Sequence, residues 1–187
     1  MKFEKLKEVV EALIFASDTP IPVDAIRKII EETTPAEIKR IVEELNLVYK
    51  QNKRAFQIVE HGGGYQLVTR ETYSQWVKKL FQGKRKSRLS QAALETLSVI
   101  AYKQPISKSE VAHIRGVNCD GVVRTLLERK LLTISGRGDG PGRPLLYKTT
   151  KDFLIYFGVN SIEDLPKPRE IEELLKESEP ASENAVE

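Results

Sequence analysis

The chain has 187 residues, 40% apolar and 30% charged, with a formal net charge of +3. That length suits two compact domains of roughly 80–90 residues and a tail, each with a modest core. No apolar stretch approaches the roughly 18 residues of a membrane span. The opening residues mix Lys and Glu through an amphipathic pattern and lack the uninterrupted apolar core of a signal peptide. The lone Cys119 has no partner for an internal disulfide, so the expectation is a cytoplasmic protein with no membrane partner. Residues 169–187 hold seven Glu against Arg169 and Lys176, which divides the net charge into +8 on residues 1–168 and −5 on an acidic tail too poor in apolar residues to fold alone.

In chain order, Phe3, Leu6, Val9, Val10, Leu13 and Ile14 fall at helical spacing over residues 3–16. Pro20 and Pro22 end that helix and hold Ile21 in a short extended connection. Val23, Ile26, Ile29 and Ile30 predict a second short helix over 23–31. Thr34-Pro-Ala-Glu37 starts a third, with Thr34 as N-cap, Pro35 at the first helical position and Glu37 closing a capping box. Residues 56–59 and 65–69 read as strands around His61-Gly-Gly-Gly64. Three helices and a hairpin form the winged-helix order.

Residues 71–81 predict a linker helix carrying Tyr73, Trp76, Val77, Leu80 and Phe81, followed by a basic linker over 83–88. The pattern then repeats. Ser90 caps a helix through Leu94, Leu97, Ile100 and Ala101; Ser107-Lys-Ser-Glu110 opens a short second helix that Gly116 ends; Asn118 or Asp120 starts the third. Strands at 132–134 and 145–147 flank a Gly- and Pro-rich wing over 136–144. At an offset of 85, Val9 matches Leu94, Ile14 Val99, Ala16 Ala101, Pro20 Pro105, Ile21 Ile106, Ile26 Val111 and Ile29 Ile114. The predicted fold is mostly α with small β-hairpin wings (α+β): tandem winged-helix domains over 1–82 and 89–168, then the tail 169–187.

Little here points to chemistry. His61 and His113 are isolated, Cys119 lacks a Cys-x-x-Cys partner, and the glycine-rich wing is followed by a strand, so it cannot set phosphates at a helix N-terminus. No catalytic residue, metal or cofactor is expected. Sequence-specific DNA reading is not favoured either. The outward residues of the third helices, Glu37, Lys39, Arg40, Glu43 and Glu44 in one copy and Asp120, Arg124, Thr125, Glu128 and Arg129 in the other, mix both signs. Lys84, Arg85, Lys86 and Arg88 are candidates for weak, non-specific phosphate contacts. Protein binding remains. With the core stripe of the Ser90 helix on Leu94, Leu97, Ile100 and Ala101, Val99 and Tyr102 project to the opposite side, as Phe15 does in the first copy. The alternative for these residues is packing against the linker helix or the terminal turns, the short helical turns expected at 152–157 and 162–165.

The segments Leu89 to Ile106, Ile114-Arg-Gly-Val-Asn118, Leu126-Leu-Glu-Arg129, Gly142-Arg-Pro144, Tyr147, Thr149-Thr150 and Phe157-Gly158 closely resemble segregation and condensation protein B over about 80 residues. The Glu-Ala-Leu-Ile-Phe-Ala-Ser run at 11–17 extends the resemblance more loosely into the first domain. The resemblance implies a non-catalytic, homodimeric subunit that binds a kleisin, segregation and condensation protein A, and through it an SMC ATPase, in chromosome partition and cell division. It implies dimerisation through 1–82, kleisin binding through 89–168, and association with the nucleoid through the complex. Phe15 is then the candidate for pairing, and Val99, Tyr102 and Arg124 are the candidates for the kleisin. The alternative is a winged-helix transcription regulator, which requires a basic third-helix face.

Overall fold

The computed structural model describes residues 3–31, 33–81, 88–167 and 170. Lys84, Arg85 and Lys86, together with the tail apart from Glu170, lie outside them.

The first unit begins with helices α1 (Phe3–Ala16), α2 (Val23–Ile29) and α3 (Pro35–Gln51). The Glu37 amide donates to Thr34 Oγ1 at 3.2 Å while the Glu37 carboxylate accepts from the Thr34 amide at 2.8 Å, the reciprocal bonds expected of Thr-x-x-Glu. Strands β1 (Phe56–His61) and β2 (Gly64–Thr69) pair antiparallel with His61 opposite Gly64. Gly62 and Gly63, at φ of +60° and +73°, make the two-residue turn whose twist matches the strands. Ile21 bridges to Tyr65, and the backbone there passes so close to Gly64 that a Cβ would stand 2.7 Å from the Ile21 carbonyl oxygen. Leu6, Val10, Ile14, Ile26, Ile38, Ile41 and Leu45 fill the core. The wing is pinned to α3 by Asn46, which accepts from the Ile58 amide at 2.8 Å and donates to the Ile58 carbonyl at 2.9 Å.

After β2, residues 71–81 form a 3₁₀ turn at Glu71–Tyr73 and helix α4 (Ser74–Leu80). The second unit comprises α5 (Gln91–Lys103), β3 (Ile106–Ser107), α6 (Lys108–Arg115), α7 (Asp120–Glu128), β4 (Leu132–Arg137), β5 (Leu145–Thr149) and α8 (Lys151–Phe157). Its sheet runs β3-β5-β4, with a register shift between Ile134 and Gly136. Ser90, Ser107 and Thr150 each cap a helix by accepting from the amide three residues on. At the start of α7 the cap position falls on Cys119, and Asn118 Oδ1 accepts from the Asp120 amide at 2.8 Å.

The single offset of 85 holds only in part. Pro20 with Pro105, Ile21 with Ile106, and the buried Ile26 with Val111 keep it. In the first helices the buried residues Leu6, Val10 and Ile14 correspond instead to Ala93, Leu97 and Ala101, 87 positions on. The cause is the connection from the first helix to the extended segment, which is two residues shorter in the second unit. In the third helices Ile38, Val42 and Leu45 correspond to Cys119, Val123 and Leu126 at 81.

Candidate partner-binding surfaces

The candidate residues do not converge on one place. Phe15, at the end of α1, is 74% exposed beside a shallow groove of about 370 Å³ between α1, the end of α3 and the hairpin. Tyr49 forms its floor. The ring meets Phe56 edge-on at 5.0 Å, and the hydroxyl donates to Glu11 at 2.5 Å. Burial and then the Glu11 carboxylate push the Tyr49 phenol above its ordinary range, so it stays a donor.

Val99 and Tyr102 lie one turn apart on α5, but neither projects freely. The buried stripe is Ala93, Thr96, Leu97, Ile100 and Ala101, with Leu94 only half-buried. Val99 is partly buried against that same core, which corrects its expected opposite orientation. The segment after α8 also packs on this core through Ile162 and Leu165, and Tyr102 donates to its Pro166 carbonyl at 2.5 Å. The Pro166 carbonyl thus takes the hydroxyl, and Tyr102 remains 42% exposed. Arg124 stands on α7, its side chain 82% exposed, and donates to Glu128 rather than meeting the α5 pair. Arg88 lies on the wall of a cleft between the two units, with Asp18, Gln66, Glu128 and Lys130.

The third helices satisfy much of their own charge. Arg40 pairs with Glu44 at 3.8 Å and covers the Phe3 ring, Lys108 reaches Asp120 at 3.0 Å, and Glu37 is committed to its cap. In the second wing, Arg137 donates to the Arg143 carbonyl and so turns onto the wing's own backbone. Neither helix offers the basic face that a major-groove reader needs.

The remaining reactive side chains serve the fold. His61 bonds Gln66 across the hairpin at 2.9 Å. Cys119 is buried at the core position matching Ile38, and burial raises its thiol pKa. Among the described residues, no three His, Cys, Asp or Glu are grouped to hold a metal, and no helix is long and apolar enough to cross a membrane. Arg115, inside the Ile-Arg-Gly-Val-Asn motif, donates to the Ala92 carbonyl at 3.0 Å and to Thr96 and Glu95, locking α6 to α5.

Sequence reasoning missed the exposure of two aligned isoleucines. Ile29 and Ile114 hold the same position at the end of the second helix in each unit and stand 59% and 51% exposed. The repeat marked them as equivalent, but their helical spacing resembles that of core residues.

Two winged-helix units whose third helices pair part of their own charge, with apolar residues left on their surfaces, define a tandem winged-helix protein. Residues 8–168 match the family model described as segregation and condensation complex subunit ScpB, and the chain belongs to that family, one of complex subunits and not of enzymes. It is 43% identical over 175 residues to segregation and condensation protein B of Syntrophotalea carbinolica, covering 94% of this chain and 88% of that one. The crystal structure of ScpB from Mycobacterium tuberculosis is 32% identical, covering 86% of this chain and 99% of that one, with a TM-score of 0.41. A ScpB N-terminal domain crystallised as a dimer with a ScpA peptide is also 32% identical, covering 43% of this chain and 99% of that one, with a TM-score of 0.38.

Proposed function

We propose that the protein is a non-catalytic subunit of an SMC–kleisin condensin-like complex, acting in chromosome condensation, segregation and partition during cell division. It works as a homodimer that holds the kleisin, segregation and condensation protein A, and through it the SMC ATPase. The observation that carries this reading is the family match, which runs through both winged-helix units from residue 8 to residue 168. Residues 1–82 form the pairing domain and 89–168 the kleisin-binding domain. The protein resides in the cytoplasm and meets the nucleoid through the complex.

Phe15, the exposed candidate on the first unit, serves pairing. The Tyr102 ring, Val99 and the Arg124 guanidinium serve the kleisin. Aromatic and arginine side chains of this kind carry much of the energy in protein interfaces. Two domains doubled by dimerisation raise the effective concentration of each binding surface along one kleisin chain. Lys84, Arg85, Lys86 and Arg88 add at most a weak, salt-dependent phosphate contact.

Light scattering coupled to size exclusion tests the reading, on the protein alone and mixed with the kleisin of the same cell. A dimer alone and a complex of two chains per kleisin are expected. A monomer that ignores the kleisin would overturn the proposal and favour a DNA-binding regulator.

A further inference from the structure

Helix α4 buries none of its residues. Tyr73, Trp76, Val77, Leu80 and Phe81 stand at i, i+3, i+4, i+7 and i+8, a continuous stripe along one face of the turn and helix. None of the five belongs to either hydrophobic core or to the partly buried residues packed against one. Trp76 is 58% and Leu80 75% exposed, and the Tyr73 and Trp76 rings lie 6.3 Å apart. The stripe leaves on the order of 400–500 Å² of apolar side chain in water, as much as the largest patch of an ordinary monomer.

We propose that this stripe is a self-complementary seam, and that α4 of one chain lies antiparallel on α4 of a second copy about a two-fold axis. The inference rests on the dimer reading above and supplies a contact in that dimer. Two observations commit the occupant to a second copy. The spacing is that of paired helices whose side chains interdigitate, and a symmetric dimer presents one such face to itself. The end charges also complement each other. Glu71 opens the segment, Lys78 and Lys79 close it, all three are exposed, and none has an ion-pair partner among the described residues. Antiparallel pairing sets each Glu71 against the partner's lysines, whereas parallel pairing sets like charges together.

Trp76 is the chain's one tryptophan, so its emission reports the seam directly. The full chain is diluted through its dimer–monomer transition, with mass followed by sedimentation and Trp76 by fluorescence. Emission is expected to move to shorter wavelength as the dimer forms. Leu80→Glu should leave the thermal melt of the dilute monomer unchanged and weaken the dimer at least roughly thirtyfold. Glu71→Lys should also weaken it, and adding Lys78→Glu and Lys79→Glu should restore it; this swap leaves the apolar stripe intact and decides the matter if Leu80→Glu fails to fold. A dimer whose tryptophan stays in water, or that ignores these changes, overturns the seam and leaves the dimer reading standing. A chain monomeric at every concentration overturns both. Short-wavelength emission from a monomer means that α4 packs on its own chain, which also overturns the seam.

Discussion

Cys119 illustrates how a reactive residue type becomes a packing residue. Its side chain fills the place that Ile38 fills in the first unit, its sulfur faces the Lys108 carbonyl at 3.5 Å, and burial followed by the Asp120 charge raises the thiol pKa. The thiolate is the species that reacts, so Cys119 should stay unlabelled by a thiol reagent at neutral pH and react fully once the chain is unfolded in denaturant. Rapid labelling of the native protein would contradict that placement. Asn46 is the opposite case, a polar residue whose side chain completes a strand. Asn46→Ala strands both the Ile58 amide and its carbonyl, which should cost about 1–3 kcal/mol in a urea melt. A loss below that range would mean that water replaces both bonds.

The helices owe their boundaries to local chemistry that can be read from short motifs. Thr34 with Glu37 and Ser107 with Glu110 form the reciprocal capping bonds that their spacing announces, and those bonds lower both carboxylate pKa values. The folded pKa of each lies below the ordinary glutamate value of 4.5, so their contribution is complete above that value and is lost as pH falls through the depressed one. Thermal melts between pH 6 and about pH 3 should therefore show a smaller acid loss in Glu37→Gln/Glu110→Gln than in the unaltered chain. Equal losses would place the acid sensitivity elsewhere. Caps, hairpin turns and the doubled winged-helix order were legible because each depends on a few neighbouring residues. The packing of Val99 on the core was not, because the spacing along α5 assigned the core face to Leu94 when Leu94 is only half-buried, and the hold on Tyr102 was not, because it comes from Pro166, more than sixty residues away. The exposure of Ile29 and Ile114 was hidden for the same reason, since periodicity gives the face of a helix and not what covers it.

At the scale of the molecule, the turn of the first wing rests on the end of α8. The Gly62 amide donates to the Val159 carbonyl at 2.9 Å, and a Cβ on Gly62 would stand 2.5 Å from Ile155 Cγ1. Gly62→Val meets that side chain and also the positive φ of 60°. It should raise the radius of gyration in X-ray scattering of a chain whose two units each still melt cooperatively; an unchanged radius would show that this contact does not set their spacing. Isothermal titration of the kleisin into the protein, in salt that screens weak phosphate contacts, tests the proposed binding of a kleisin by the dimer most directly. Half a kleisin bound per chain, with affinity reduced at least roughly tenfold by Tyr102→Ala, is the predicted result. No heat of binding, or one kleisin per chain, would contradict it.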